Sequence, residues 1–387
     1  MSFVLSREHE EFRQSVREFA RDEIAPYVAD WDDKHHFPVD VVRKMGDLGL
    51  FGLTAPEEYG GAGDFTSLCV AIEELGRVDQ GIGITLEAAV GLGINPILTF
   101  GSKEQKERWL PDLISGQALA AFGLTEPASG SDAGATRTHA ELIDGFWLLN
   151  GSKQFITNSG SSMTSVVTVT ARTGTRVDGT PEISSILVPA STDGFVAEPA
   201  YNKLGWHCSD THPLTFIDVR VPEDHLLGER GRGFAQFLAT LDDGRVAIAA
   251  LALGCIEACL EMSVAYAEER ETFGVPIGRK QGVAFQVADL AVMAEASRGL
   301  VYKAAAMKDA GAPPAEFKQA ASIAKLYATE AAVTATRIAT QVFGGYGFME
   351  EYSVARFYRD AKILEIGEGT SEVQRMLIAR GLGLPVE

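Results

Sequence analysis

Residues 141–157, ELIDGFWLLNGSKQFIT, form an apolar, β-branched and aromatic run that is interrupted by an Asp-Gly and an Asn-Gly pair. Such pairs between short apolar runs are typical of the turns that join antiparallel strands. Later runs have the same character: SVVTVTAR (165–172), ISSILVP (183–189) and LTFIDVRVP (214–222). The middle of the chain therefore predicts an antiparallel β domain.

The sequence on both sides of this β region has the periodicity of helices. Before it, apolar residues recur at helical spacing in 8–24, 66–78, 84–100 and 103–115. Ser102 followed by Gln105 has the spacing of a capping box at the last of these starts. After it come alanine-rich helical segments at 234–270, 281–310 and 316–342, whose small residues favour close packing in a bundle.

The predicted fold class is therefore α+β, with several domains. We expect an N-terminal α-helical domain (1–121), a middle antiparallel β domain (122–233) and a C-terminal helical bundle (234–387). A chain of 387 residues is long enough for this plan and for a large buried core.

The amino-acid composition argues against some classes of binding partner. Lys and Arg number 34 against 53 Asp and Glu, a net charge of −19, which argues against nucleic acid or an anionic membrane as the main partner. No charge-free apolar run is long enough to predict membrane insertion. The N-terminus lacks the apolar region of a signal peptide, and the four cysteines include no CxxC pair, so we expect a cytoplasmic protein with reduced, buried thiols.

The common cofactor and catalytic signatures are missing. The chain has no GxGxxG after a strand, no phosphate-loop Gly-Lys, no HExxH and no GxSxG. This pattern argues against a Rossmann nicotinamide enzyme, a P-loop enzyme, a zinc protease and an α/β-hydrolase, and no metal site is predicted.

Several polar, glycine-containing segments lie at the edges of predicted elements. FGLTEPASGSDAGA (122–135) offers backbone N–H and hydroxyl groups to a ligand, although alone it has the composition of a linker. KQFITNSG (153–160) ends a strand and alone favours a buried strand end. RETFGVPIGRKQ (270–281) and QVFGGYGF (341–348) place an Arg and a double glycine where a diphosphate could bind, although an Arg there is usually a surface residue.

The sequence YRDAKILEIGEGTSEVQR (358–375) places Glu368 between Gly367 and Gly369, in a loop before a predicted helix. Glycine neighbours let a bulky planar group approach the carboxylate, which suggests a reactive residue. The alternative is an ordinary N-terminal carboxylate that interacts with the dipole of the following helix.

Together and in this order, these segments resemble the acyl-CoA dehydrogenase family, flavoproteins that oxidise acyl-CoA thioesters. The motifs LTEPASGSDAGA, KQFITN, LDDGR, RETFG, QVFGGYGF and RDAKILEIGEGTSEVQR occur at the family's usual separations over nearly the whole chain. The resemblance implies the family fold with a C-terminal four-helix bundle, FAD bound without a Rossmann motif, and a homotetramer built as a dimer of dimers with FAD at the subunit interfaces.

The resemblance also implies roles for individual residues. Glu368 matches the family's catalytic base, and the position that carries the base in one branch of the family is Gly244 here. Substrate-binding residues would be Ser131, Asp242, Arg245 and Gly369. Cofactor-binding residues would be Phe122, Leu124, Thr125, Gly130, Ser131, Phe155, Ile156, Thr157, Arg270, Phe273, Gln281, Gln341, Val342, Gly344, Gly345, Thr370 and Glu372.

The implied reaction converts an acyl-CoA into the trans-2-enoyl-CoA and passes electrons to an electron-transferring flavoprotein, in fatty acid β-oxidation. Glu368 would take the α-proton, and its backbone N–H with a ribityl hydroxyl of FAD would bind the thioester oxygen. Burial between an acyl chain and the flavin should raise the pKa of Glu368. Two alternatives stay open at this point: an acyl-CoA oxidase that uses oxygen, and a non-catalytic scaffold subunit. Gly367 stands where many members have Tyr, and Phe155 stands where many have Trp. Because of these two departures, the length of the acyl chain stays open.

Overall fold

The computed structural model describes residues 5–386. The order of elements is α, then β, then α, which confirms the predicted fold class. The first seven α-helices are α1 (Arg7–Phe19), α2 (Val28–Lys34), α3 (Val39–Asp47), α4 (Phe65–Gly76), α5 (Gln80–Glu87), α6 (Asn95–Phe100) and α7 (Lys103–Ile114). A π-helical segment, Ala88–Ile94, joins α5 to α6 without a break.

The predicted capping box is present at the start of α7. The Ser102 hydroxyl oxygen accepts from the Gln105 N–H at 3.2 Å, and the Gln105 Oε1 accepts from the Ser102 N–H at 3.0 Å. The Gln105 side-chain amide also donates to the carbonyl oxygens of Asp224 and Leu226, so the cap holds this helix against the β domain.

The middle of the chain forms one eight-stranded sheet. Its strands are β1 (Leu119–Gly123), β2 (His139–Ile143), β3 (Phe146–Thr157), β4 (Thr164–Thr175), β5 (Pro181–Pro189), β6 (Phe195–Ala197), β7 (Thr211–Pro222) and β8 (Leu226–Leu227). The path across the sheet is β6-β7-β3-β2-β4-β5-β8, and β1 pairs with β4.

The sheet is mixed, which refines the expectation of an antiparallel domain. Most neighbours are antiparallel, but β1 runs parallel to β4, with Phe122 opposite Thr168. A parallel pair requires a crossover connection, and the β2–β3 hairpin with its flanking loops provides it here. Strand β1 thereby leads the chain from the N-terminal helices into the sheet, and the loop after β1 is placed beside β3.

The C-terminal part is built on three long helices, α8 (Gly233–Glu269), α9 (Gln281–Asp309) and α10 (Pro314–Phe343), which pack on one another. Two short strands, β9 (Glu271–Thr272) and β10 (Val275–Pro276), form a hairpin between α8 and α9. Two further helices follow, α11 (Ser353–Ala361) and α12 (Ser371–Gly381), and α12 packs against α10.

One apolar core runs through both helical regions, and a second core lies within the sheet. The contact between α4 and α8 joins the two helical regions, and it is so close that a Cβ on Gly254 would lie 2.3 Å from the carbonyl oxygen of Glu73. Cys69, Cys208, Cys255 and Cys259 are free and buried, as predicted.

Two helical segments of the described residues, Gln80–Phe100 and Gly233–Glu269, are long and apolar enough to cross a membrane by length and composition alone. In each, 83% of the apolar window is buried inside the fold, which is the behaviour of core helices. The division into 1–121, 122–233 and 234–387 remains a proposal. In the structure, β1 straddles the first of these boundaries and α8 begins one residue before the last domain.

Candidate active site

The loop between α11 and α12 has an unusual backbone. Glu368 has φ of +54° and Gly369 has φ of +91°, so two consecutive residues lie in the left-handed region. A residue with a side chain adopts this region only at a cost of about 1–3 kcal/mol, and such strain clusters at functional sites. The Thr370 hydroxyl caps α12 by accepting from the Val373 N–H at 3.3 Å. Thr370, and not Glu368, is therefore the N-cap of this helix.

The Glu368 carboxylate points into the protein. Part of the residue stays accessible, but its Oε2 is buried and has no hydrogen-bond partner within the described part of the chain. Burial raises the pKa of Glu368 to about 7, against the opposing effect of the nearby Arg245 and Lys325 cations. A carboxylate with these properties is a stronger base than a solvated one.

Two side-chain donors hold the loop by binding the carbonyl oxygen of Gly369. The Lys325 Nζ on α10 donates to the Gly369 carbonyl oxygen at 2.7 Å, and the Gln374 Nε2 on α12 donates to the same oxygen at 3.0 Å. Lys325 is fully buried, and burial lowers its pKa to about 8, although Glu368 favours its charged form. Neither Lys325 nor Gln374 was predicted from the sequence. The only signal was that Lys325 lies inside an alanine-rich helical run.

Helix α8 packs beside the Glu368 carboxylate. Asp242 and Arg245, both predicted to meet the substrate, form an ion pair one turn apart, and Arg245 is buried. A Cβ on Gly244 would lie 2.9 Å from the Glu368 Oε2. The structure therefore brings the predicted residues Asp242, Arg245, Glu368 and Gly369 together, and it leaves no room for a side chain at position 244.

We predict that Gly244→Ala separates catalysis from stability. The new Cβ would displace the flexible end of Glu368, and a shift of about 1 Å at a reacting group can cost about 10²-fold in rate. Alanine should not destabilise the helix, because it is the better helix former by about 1 kcal/mol. The measurement is kcat/KM together with Tm. The control is Gly299→Ala inside α9, where an added Cβ meets nothing within 4 Å; equal activity in both variants would contradict the prediction.

The loop after β1 is anchored by a buried ion pair. The Lys153 Nζ lies 2.8 Å from Glu126 Oε1 and also donates to the Leu124 carbonyl oxygen at 3.0 Å. The second carboxylate oxygen of Glu126 accepts from the Arg137 N–H at 2.7 Å. This pair fixes both ends of the segment that contains Thr125, and sequence reasoning did not identify it.

The residues predicted to surround the flavin lie along this loop and at the end of β3. Phe122 and Leu124 pack with Phe237 and Leu241 of α8 in a small apolar cluster. On β3, Ile156 is buried, whereas the Phe155 side chain is 63% exposed with φ of +61°. Gly130 and Ser131 are exposed, and Thr125 and Thr157 are half-buried. An exposed aromatic ring beside accessible polar groups can receive a flat ligand.

A cavity lies at the C-terminal ends of α8 and α10, away from Glu368. It has a volume of about 520 Å³ and includes four residues predicted to bind the ADP half of FAD: Arg270, Val342, Gly344 and Gly345. The Tyr346 ring, which sequence reasoning missed, lies 5.5 Å from the Arg270 guanidinium. Other predicted residues do not line this cavity, namely the exposed Phe273, Gln281 and Gln341. The Arg270 cation beside two glycines without side chains suits a diphosphate.

Comparisons with known proteins identify the family. Models of the acyl-CoA dehydrogenase N-terminal, middle and C-terminal domains match residues 6–117, 121–219 and 231–383. The chain belongs to the acyl-CoA dehydrogenase family. It is 47% identical over 383 residues to a probable acyl-CoA dehydrogenase of Bacillus subtilis, covering 99% of this chain and all of the relative. It is also 43% identical over 381 residues to the short-chain specific acyl-CoA dehydrogenase of Clostridium acetobutylicum, covering 98% and 99%.

Solved structures agree with this assignment. Butyryl-CoA dehydrogenase from Megasphaera elsdenii has a TM-score of 0.94 and 42% identity, covering 99% of this chain and 100% of that chain. A chain from the structure of the electron transferring flavoprotein of Acidaminococcus fermentans, solved towards a mechanism of electron bifurcation, has the same TM-score and identity and covers 99% of both chains. The protein is therefore an oxidoreductase that dehydrogenates acyl-CoA thioesters.

The acyl-CoA dehydrogenase uses FAD. A related acyl-CoA dehydrogenase from Bacillus anthracis, complexed with FAD, is 33% identical with a TM-score of 0.90, covering 98% of this chain and 69% of that chain. The residues present here fit the cofactor: the Phe155 ring and the loop from Phe122 to Ser131 suit the isoalloxazine, and the Arg270 cavity suits the diphosphate and adenosine. Thr370 and Glu372 lie beside the catalytic loop, at the start of α12.

The pKa of Glu368 gives a prediction for the pH dependence of the dehydrogenase. Glu368, as the candidate base, must be ionised to accept a proton, so kcat/KM should rise with pH through about 7, its raised pKa. Stability should change in the opposite direction. Because the folded state holds this proton more tightly than an unfolded chain with pKa near 4.5, the contribution of Glu368 to the unfolding free energy falls between about pH 4.5 and 7. A kcat/KM profile that is already flat above pH 5 would contradict the prediction.

Proposed function

We propose that this acyl-CoA dehydrogenase oxidises the Cα–Cβ bond of short-chain acyl-CoA thioesters, with Glu368 as the base, and passes the electrons to an electron-transferring flavoprotein. The observation that supports Glu368 most directly is its buried Oε2 without a partner, held on a strained loop. The strained conformation and the missing partner both cost stability, and a role in proton transfer accounts for both.

In the proposed reaction, the Glu368 carboxylate takes the α-proton of the acyl group. The missing side chain at Gly367 leaves room beside the base, since a Cβ there would meet only the Ile363 carbonyl oxygen, at 3.5 Å. FAD, when bound, supplies the two-electron acceptor for the β-hydrogen. The α-proton moves to Glu368 while the β-hydrogen leaves with the electron pair, so one C=C bond forms in the product.

The same loop supports charge that develops on the thioester oxygen. Within the described residues, the Glu368 backbone N–H has no protein acceptor. We assign it to the thioester oxygen, where a preorganised donor stabilises the developing enolate. Lys325 and Gln374 hold the Gly369 carbonyl oxygen and thereby fix the plane of the neighbouring peptide groups. Their role is to position the loop.

The proposal of a short acyl chain rests on the relatives. The Clostridium acetobutylicum relative is short-chain specific, and the Megasphaera elsdenii neighbour is a butyryl-CoA dehydrogenase. Butyryl-CoA is therefore the first substrate to test.

The proposed electron acceptor and assembly have separate support. The match to a chain in the Acidaminococcus fermentans structure supports an electron-transferring flavoprotein as acceptor. Large apolar side chains of the C-terminal part are exposed in the single chain, among them Phe273 (95%), Phe348 (89%) and Val292 (65%). Exposed apolar side chains of this size support the proposed homotetramer, a dimer of dimers with FAD at its interfaces, in which they would be buried between subunits. A cytoplasmic location stays a prediction from the sequence.

The test is a comparison of saturated acyl-CoAs, from butyryl- through hexanoyl- and octanoyl- to palmitoyl-CoA, with an electron-transferring flavoprotein or oxygen as acceptor. We expect the highest kcat/KM with butyryl-CoA and little turnover with oxygen. A maximum at octanoyl-CoA or beyond would contradict the short-chain proposal. Equal turnover with oxygen would show an oxidase and contradict the proposed acceptor.

A further inference from the structure

A second buried carboxyl group lies beside the base. Glu87 is the last residue of α5, its side chain is buried, and neither of its side-chain oxygens has a hydrogen-bond partner among residues 5–386. More than nine in ten buried polar groups in proteins are paired, so a carboxyl group with two unpaired oxygens requires an explanation.

The position of Glu87 relative to Glu368 follows from Gly244. A Cβ at this glycine would lie 2.9 Å from the Glu368 Oε2 and 3.4 Å from the Glu87 Oε1. The Glu368 Oε2 and the Glu87 Oε1 therefore both lie against Gly244 of α8. One bridging water can connect two oxygens placed in this way.

The backbone around Glu87 maintains this space. The π-helical segment Ala88–Ile94 begins directly after Glu87, and π-helical turns inside α-helices are frequent at functional sites. A Cβ on Gly91, within that segment, would lie 3.1 Å from the Glu87 Oε1. Glycines on two different helices thus leave the Glu87 carboxyl free of side-chain crowding.

We propose that Glu87 is a neutral carboxylic acid that donates a hydrogen bond to the Oε2 of Glu368, directly or through one water, and so positions the catalytic base. The proton on Glu87 gives the Glu368 Oε2 a donor, and it leaves the other Glu368 oxygen for the α-proton. Glu87 is then a positioning residue. This inference rests on the proposed role of Glu368.

The charges around the pair support a neutral Glu87. The cations that act on Glu368 are Arg245 and Lys325, and Asp242 pairs with Arg245. With Glu87 neutral, the carboxylates of Glu368 and Asp242 balance these two cations, whereas an ionised Glu87 would add an unbalanced buried charge. Burial, together with the Glu368 charge, raises the pKa of Glu87 well above its usual range.

The test uses the FAD-loaded enzyme and compares Glu87→Gln with Glu87→Leu. The Gln amide still donates to Glu368, so we expect kcat within about threefold of wild type and an unchanged acid limb of the pH profile. Leu cannot donate. We expect kcat to fall about 10- to 100-fold and the acid limb to move to higher pH, because the charged form of Glu368 loses a hydrogen bond.

Infrared spectroscopy tests the protonation state without turnover. At about pH 8, well above the ordinary pKa of a glutamate, the wild-type enzyme should show the C=O stretch of a protonated carboxylic acid that Glu87→Gln lacks. Glu73→Gln is the matched control, because Glu73 is also buried with a raised pKa but lies on α4, bonded to Tyr302. The Glu73→Gln variant should lose the C=O stretch that belongs to Glu73. It should keep the wild-type pH dependence of kcat.

Two results would overturn the inference. An acid limb that moves down by about one pH unit in Glu87→Gln would mean that Glu87 is charged in the wild type. A Glu87→Leu variant with wild-type kcat and pH profile would mean that the two carboxyl groups do not interact. Glu368→Gln separates this inference from the proposed function: if it retains turnover, the assignment of the base is wrong, whatever Glu87 does.

Discussion

Glu368→Gln should lose about 10²- to 10⁴-fold in kcat, the range that a positioned general base contributes. The amide has nearly the shape of the carboxylate but cannot accept the α-proton. Burying a neutral amide also avoids the cost of burying a charge, and the amide oxygen can still accept a hydrogen bond. We therefore expect the variant to fold, to bind FAD and to have an unchanged or higher Tm.

The measurement is the rate of flavin reduction by butyryl-CoA in a stopped-flow instrument, with flavin content determined for each preparation. Glu316→Gln is the matched control. It replaces an exposed glutamate in the first turn of α10, and the variant should reduce flavin at a rate close to wild type. Comparable rates for the Glu368 variant and the wild type would remove Glu368 as the base.

Lys153→Met should destabilise the folded protein by about 3–5 kcal/mol, the usual cost of removing one partner from a buried ion pair. Lys153 is fully buried and holds Glu126, the Leu124 carbonyl oxygen and the Thr170 hydroxyl, at 2.8–3.1 Å. Methionine fills a similar volume but leaves the Glu126 carboxylate without its cation. Because this pair anchors the loop from Leu124 to Ser131, we also expect the variant to release FAD more readily.

Chemical denaturation of the apo and FAD-loaded forms measures both effects. Lys103→Met is the control, since Lys103 forms only an exposed pair with Glu107 on α7 and should change the unfolding free energy by less than about 1 kcal/mol. The double variant Lys153→Met/Glu126→Leu should recover part of the loss, because an apolar pair often replaces a buried ion pair without penalty. An unfolding free energy equal to wild type in Lys153→Met would contradict the account of the loop.

Much of the fold could be predicted from local patterns. The long helices of the C-terminal part were predicted to within a few residues, because periodic apolar and alanine-rich runs leave few alternatives. The capping box at Ser102 depends on residues three apart and was equally accessible. The parallel pairing of β1 with β4 was not predicted, because Phe122 and Thr168 are opposite each other only after a long crossover.

Some residues of the candidate site could be predicted from the local sequence, and others could not. Glu368 is distinctive in the sequence because two glycines flank it, and Arg270 and Gly344 occur in recognisable segments. Lys325 and Glu87 lie within ordinary helical sequence, and only the folded chain brings them close to Glu368 and its loop. A residue whose position depends on contacts between distant helices leaves little local signal. For this reason Lys325 and Glu87 escaped sequence reasoning, whereas the two flanking glycines made Glu368 a candidate.

The central claim is that Glu368 removes the α-proton of a short acyl-CoA while the bound flavin takes up two electrons. The most direct measurement is an anaerobic titration of the purified FAD enzyme with butyryl-CoA, in which flavin absorbance is recorded for the wild type and for Glu368→Gln. We predict that butyryl-CoA bleaches the wild-type flavin and leaves that of the variant oxidised. A wild-type flavin that no acyl-CoA bleaches, or a variant that is bleached as fast as the wild type, would contradict the claim.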